Sequence, residues 1–288
     1  MVWVNDIIQG VLLGGFYALF AAGLALVFGV MKLVNLAHGD FSIMAAYLAL
    51  MFVGLLHINP FYTLILVIII MAIFGYIIQR GLFNFAMDAG PMQAILATFG
   101  IAIIIQNLLL EGFTANSKGL DAGSIENAVI TISKQVTIGW FPLITLIVSV
   151  VVLLLLQWFL GRTRMGRAFR ATADNQRAAQ LMGIDNRHLY AMAMAVALAI
   201  VAIGGVFLGI RTTFLPSAGP MRLIFAYEAV IIGGLGSLWG TLLGGVVLGV
   251  AQVFGDHVHQ GYGILVGHLV FLAILAFRPQ GFFSRQVQ

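Results

Sequence analysis

From end to end the chain is built of apolar runs about as long as a bilayer is thick, separated by short polar breaks. Nine runs stand out, at residues 6–30, 41–56, 61–79, 92–110, 140–160, 189–210, 223–235, 240–254 and 262–277. A helix needs roughly 20 apolar residues to cross the hydrocarbon core. The runs are continuous rather than alternating, which predicts helices and not a β-barrel. The seventh and eighth are short for full spans and read as two halves of a broken or re-entrant element. The expectation is an all-α, polytopic membrane protein with about eight to ten spanning or broken helices in one domain over residues 1–288. A weak strand pair is expected near Ala128 and Ile132, in the polar stretch 111–139.

Composition agrees with the pattern. The chain is 61% hydrophobic and 8% charged, against roughly 25% charged in soluble domains. The start, "MVWVNDIIQ", has no basic n-region, so no cleaved signal peptide is expected. There is no cysteine, which excludes disulfide and thiolate chemistry. A net charge of +4 would suggest nucleic acid in a soluble protein. Here the basic residues sit in loops and set orientation instead, so no nucleic-acid partner is expected.

Arg162, Arg164, Arg167, Arg170, Arg177 and Arg187 crowd one loop, residues 161–188, which should be cytoplasmic. Alternating outward from it puts Lys32, Arg80, Arg278 and Arg285 on the same side. Lys118, Lys134, Arg211 and Arg222 fall on the other. The N-terminus then lies outside, the C-terminus inside, and 111–139 forms an external loop.

Glycines indicate how the helices meet. Gly236, Gly240 and Gly244 recur every four residues, and Gly10/Gly14, Gly205/Gly209 and Gly245/Gly249 repeat the spacing. Such small-xxx-small faces let backbones approach closely in lipid.

Enzyme signatures are missing. There is no H-E-x-x-H helix and no G-x-S-x-G elbow. "HVH" at His257–His259 offers two imidazoles where a stable metal site needs three or four ligands, so no metal is expected. "GGLGSLWG" lacks the Lys-Ser/Thr of a phosphate loop, and no G-K pair occurs anywhere, so the chain has no P-loop ATP site of its own.

Polar groups within the spans are the remaining candidates. Glu228, in "LIFAYEAVIIGG", is an ionisable residue in an apolar run and so a functional candidate by default. The bland alternative puts it at the outer boundary, beside headgroups or Arg222. Gln106, Asn107, Gln252 and His268 suit interhelical hydrogen bonds as well as a solute path. "NLAHGD", residues 35–40, brings Asn35, His38 and Asp40 between the first two runs. By the orientation above it lies near the cytoplasmic side. Gly39 would allow a sharp turn, with Asp40 or Asn35 satisfying freed backbone groups. That structural role is favoured over direct solute contact.

The loop "GRTRMGRAFRATADNQRAAQLMGI" reads as an amphipathic helix. Met165, Ala168, Phe169, Thr172, Ala179 and Met182 follow one face, and Arg167, Arg170, Asp174 and Arg177 another. Gly183 is placed as its stop and Asp185 as the cap of the next helix. A small apolar face with mixed charges suits a groove in a soluble partner better than a lipid surface.

Three stretches, "NLAHGDFSIMAAYLA", "GRTRMGRAFRATADNQRAAQLMGI" and "AVIIGGLGSLWGTLLGGVVLGV", resemble the Liv-type permeases in order and spacing over nearly the whole chain. These are membrane subunits of bacterial ABC importers for branched-chain amino acids and related small solutes, urea and amides among them. The H-type subunit is the nearer match. The resemblance implies an inner-membrane, non-catalytic translocation subunit paired with an M-type permease. It further implies two cytoplasmic ATPase subunits, which bind the ATP and Mg, and an extracytoplasmic solute-binding protein. It maps the family's coupling segment to residues 166–183. From the helix's own small apolar face, Ala168, Phe169, Ala178, Ala179 and Gly183 are expected to form the side buried on the ATPase, with the arginines fixing register. At Glu228 the resemblance leads one to expect lysine. The departure favours urea, an amide or another small polar solute. Outside the family, a self-sufficient channel or secondary transporter would have Glu228 and His268 for its coupling ion.

Overall fold

The computed structural model describes residues 2–133 and 136–283; Lys134 and Arg285 lie outside them. Helix α1 spans Val2–Met31, α2 His38–Leu56 and α3 Pro60–Ile78. A π-helical turn, Gln79–Phe83, leads into α4, Asn84–Ala89. Next come α5 (Pro91–Phe113) and the short α6 (Ser124–Asn127). Strands β1 (Val129–Ser133) and β2 (Val136–Gly139) follow, paired antiparallel with Ile130 opposite Ile138, as expected near Ala128. Then come α7 (Trp140–Arg162), α8 (Arg164–Asp174), α9 (Gln176–Leu181), α10 (Asn186–Arg211), α11 (Gly219–Gly233), α12 (Leu238–Val258) and α13 (Gly263–Phe277).

All nine apolar runs are helical. Among the described residues seven helices are long and apolar enough to cross a membrane, with the shorter apolar α13 besides. The eighth run is not half an element: α12 has 21 residues and ranks among the seven. Only α11 is short, at 15 residues. The break between them is the tight turn 234–237, where Gly234 and Gly236 both take left-handed backbone (φ 100° and 83°).

The chain forms two compact units, each assembled from separated segments. The first comprises Met1–Ala25, Asp121–Leu153 and Ile224–Gln288. In it α12 carries two glycine faces. A methyl on Gly240 or Gly244 would strike the carbonyls of Gly233 or Ala229 on α11. A methyl on Gly245 or Gly249 would strike Gly14 or Gly10 on α1. Lipid supplies no hydrophobic drive between helices, so close packing of this kind holds them together. The expected triple is therefore a pair: Gly236 sits in the turn before α12, and its role is conformational.

The second unit comprises Leu26–Leu120 and Leu154–Leu223. Its centre is α10, whose residues 189–210 are nearly all buried. Helix α3 lays the stripe Thr63, Val67, Met71 and Gly75 inward, while Tyr62, Ile65, Ile69, Ile73 and Ile77 stay exposed. That is one face of a 3.6-residue helix, with the other left for lipid or a partner. Further along α10, Gly205 lies against the carbonyl of Ser42 and Ala45 of α2.

Candidate functional site

"NLAHGD" sits deeper than expected. The Leu36 N–H donates to Thr98 Oγ1 at 3.2 Å, and Gln106 Nε2 donates to Asp40 Oδ1 at 2.8 Å. At 1.5 Å per residue, Thr98 lies about 10 Å and Gln106 about 22 Å along α5 from its start. The junction therefore runs alongside the middle third of α5, rather than near the cytoplasmic side. Non-helical backbone is tolerated at such depth only where protein covers it. Leu33, Asn35, Ala37, His38 and Asp40 are all buried. Asn35 does the capping: its Oδ1 accepts from the Ala37 N–H at 3.0 Å, and its backbone carbonyl takes the His38 N–H.

One expected role changes. Gly39 makes no turn; it lies within α2, and a Cβ there would strike the carbonyl of Gly219 at the start of α11. Its absent side chain serves close approach. Asp40 does meet a backbone group in the first turn of α2, its own N–H. Its carboxylate rests where a Gly219 side chain would lie, at the positive end of α11. Its Oδ2 has no hydrogen-bond partner among the described residues. Asn35, His38, Asp40 and Gln106 thus belong to one buried region of the second unit.

Glu228 lies in the first unit. It is 4% exposed, and its Oε1 is 2.5 Å from His268 Nδ1 on α13. This joins two residues the sequence treats separately. Beside them the Phe225 ring stacks on His268, with centroids 6.0 Å apart, and also meets Tyr17 at 5.2 Å. The Tyr17 hydroxyl donates to Gln252 Oε1. Tyr17 escaped the sequence reading. The usable signal was its place in the middle of α1, since membrane tyrosines favour the interfaces.

The basic loop is two helices, α8 and α9, broken at Asn175, which is extended (φ −151°) and caps α9 through the Ala178 N–H. Thr163 caps α8, accepting from the Gly166 N–H. Gly183 (φ 85°) and Asp185 occupy the expected stop and cap. The face expected to dock outward is partly consumed at home. Phe169 is fully buried against Phe159, and Ala179 is 4% exposed. Thr172 and the Gln176 carbonyl both bond Asn186, and Gly166 presses on Leu160. Ala168 is half-buried; Ala178, Gly183, Arg167, Arg170, Asp174 and Arg177 are exposed. So are Leu181 and Met182, at 89% and 83%. Arg187 pairs with Asp88, and Arg80 lies 3.8 Å from Asp185. These pairs put Arg80 and the loop at the same end of the second unit. Lys118, bridged to Phe214, shares the neighbourhood of the α10 C-terminus. "HVH" is divided: His257 lies 3.1 Å from Asp6, and the His259 ring lies against Tyr262.

A predominantly helical, multi-pass membrane protein with polar clusters buried among its helices and a helical loop at one end has the make-up of a transport permease. The chain belongs to the family described as the permease component of branched-chain amino acid transport systems, whose model matches residues 7–276, and within it to the H-type permeases. It is 28% identical to the high-affinity branched-chain amino acid transport system permease protein BraD of Pseudomonas aeruginosa, over 98% of this chain and 96% of that one. It is 27% identical to LivH of Escherichia coli K12, again over 98% and 96%. The autoinducer 2 import system permease protein LsrC of Salmonella paratyphi B is 30% identical over 60% of this chain and 48% of its own. No solved structure matches the chain.

Proposed function

We propose that this permease carries a branched-chain amino acid or a closely related small polar solute inward across a bacterial inner membrane, driven by ATP hydrolysed on partner subunits. An M-type permease completes the pathway, two ATPases bind the nucleotide, and an extracytoplasmic binding protein delivers solute. The chain itself catalyses no reaction. Its N-terminus faces out, and its α8–α9 loop and C-terminus face the cytoplasm, where most of its arginines collect.

The observation that carries this reading is the outer surface of α8 and α9. Leu181 and Met182 stand 89% and 83% exposed beside Arg177. Two bare apolar side chains on a basic helical loop fit a groove in a soluble partner. The rest of the loop is fastened to α7 and α10, so force applied there reaches the spans. A branched-chain amino acid is preferred over urea or an amide for two reasons. The full-length relatives bear that substrate in their names, and Glu228 sits against His268 rather than standing as an isolated negative charge.

The test is to co-express the importer with its neighbouring genes, carrying Leu181→Asp and Met182→Asp. ATPase co-purification and solute-stimulated hydrolysis should both fall sharply, because a charge is forced into a desolvated contact. Parental behaviour in both would move the docking element elsewhere.

A further inference from the structure

Helix α4 is a six-residue piece between two breaks, and it is tied to the start of α10. Before it lies the π-helical turn Gln79–Phe83, and after it Gly90, whose φ of 137° favours glycine. Gln79 and Asn84 are both buried. Gln79 Nε2 donates to Asn84 Oδ1 at 3.0 Å, and Asn84 Nδ2 donates to the Arg187 carbonyl at 3.0 Å. Both ends of the Asn84 amide are therefore used, one within its own segment and one on α10. At the rim Arg187 pairs with Asp88 and lies over the Phe85 ring, 5.6 Å from its centroid. The Tyr76 hydroxyl stands 3.0 Å from His188 Nδ1. Exposed ion pairs contribute little, so the buried Asn84 bond is the stronger fastening.

The π turn decides where α4 points. Without its extra residue, α4 would turn by about 100° and draw back about 1.5 Å, carrying Asn84 off Arg187. Single π turns inside helices recur at functional sites, and hinges are short segments that absorb a backbone change. Bonded elements continue from both ends of this fastening. Arg187 follows Asn186, which bonds Thr172 of α8 and the Gln176 carbonyl of α9. Beyond Gly90, Pro91 opens α5, whose Thr98 and Gln106 bond Leu36 and Asp40. All of these residues lie in the second unit.

We propose that Asn84 is the positioning residue of a coupling joint. Through it the α8–α9 loop, the start of α10 and α4 move as one body. The π turn is the hinge between that body and α3. At its far end α4 passes the displacement to α5, and so to the buried region around Asp40. The proposal rests on the importer reading above and adds the route by which docking on the loop reaches the spans.

Spin labels test the motion, since the chain has no cysteine of its own. Exposed Gln180, Ala89 and Ile73 report on α9, α4 and α3. Dipolar EPR on the assembled importer compares the nucleotide-free and vanadate-trapped states. The distance from residue 180 to 89 should stay narrow and unchanged, while that from 89 to 73 shifts. The reverse pattern, or no shift in either, overturns the joint. Two variants test Asn84 itself. Asn84→Leu removes both bonds, and Asn84→Asp keeps the acceptor for Gln79 while losing the donor to Arg187. In proteoliposomes both should keep ATPase co-purification yet move about fivefold fewer leucine molecules per ATP, the scale of one lost hydrogen bond. Asp88→Cys with Arg187→Cys, bridged by a reducible bis-methanethiosulfonate reagent, replaces the rim ion pair covalently and leaves the Arg187 carbonyl in place. Bridging should restore the Asn84→Leu ratio, and reductant should abolish the rescue. A parental ratio in both variants overturns the proposal, as does loss of ATPase co-purification or failure of the bridge to rescue. If no ATPase joins the parent chain, or the parent moves no leucine, the importer reading or its solute fails separately. The joint is then decided on the permease alone, where Asn84→Leu should broaden the distances from 180 to 89; an unchanged width overturns it.

Discussion

Gly39→Ala probes the close approach on which the buried region around Asp40 depends. A methyl at residue 39 would land on the carbonyl of Gly219 and near the Leu223 nitrogen, both backbone, so no side chain can swing aside. Forcing one extra carbon into such a contact costs roughly 1–3 kcal/mol. The same shift would pull Asp40 from Gln106, bonded at 2.8 Å. Hydrogen bonds to charged groups are worth roughly 1.5–3 kcal/mol. The two effects overlap, and about 3 kcal/mol in total is expected, or a fall in melting temperature of roughly 6 °C or more. Gly54 supplies the internal control. It lies in the same helix, with nothing within 4 Å of an added Cβ, so Gly54→Ala should be neutral or stabilising by about 0.5–1 kcal/mol. Thermal unfolding in detergent, followed by fluorescence-detected size exclusion, compares the two. Equal stability would refute the contact between α2 and the start of α11.

Three further outcomes are expected. Cysteines placed singly at Gln180 and Ser124, both exposed in a chain without cysteine, should label from opposite faces of intact cells, Gln180 from the cytoplasm; labelling of both from the same face would overturn the topology. Gly240→Leu should prevent stable assembly, since even a methyl there meets the Gly233 carbonyl, and a normally folded variant would mean α11 and α12 do not touch at that point. Asn35→Leu should cost about 1–3 kcal/mol by orphaning the buried Ala37 N–H, whereas Asn35→Asp, which keeps the acceptor, should lose less; the two melting temperatures decide it.

Spans, caps and stops were legible in the sequence because each is a local matter. Apolar length gave the helices, and Gly183 and Asp185 gave a helix end and a helix start. What stayed hidden depends on partners far along the chain. That Gly39 faces Gly219, or that Glu228 meets His268, follows from no spacing, because the residues lie far apart in the sequence. The depth of "NLAHGD" was misjudged for the same reason. A polar break between two apolar runs reads as a surface turn unless one knows that Thr98 and Asn35 satisfy its backbone inside the span. Periodicity correctly picked out Phe169 and Ala179 as a buried face of the basic loop. It could not say whether the chain itself or a partner covers them, and the chain's own α7 and α10 do so.

Reconstitution of the complete importer in proteoliposomes, with ATP confined to one side, bears most directly on the central claim. Leucine, or a close relative, should cross only when the binding protein is on one face and ATP is on the other, the face carrying α8 and α9. Uptake by this chain alone, without ATP or partner subunits, would contradict the account and make it a self-sufficient carrier.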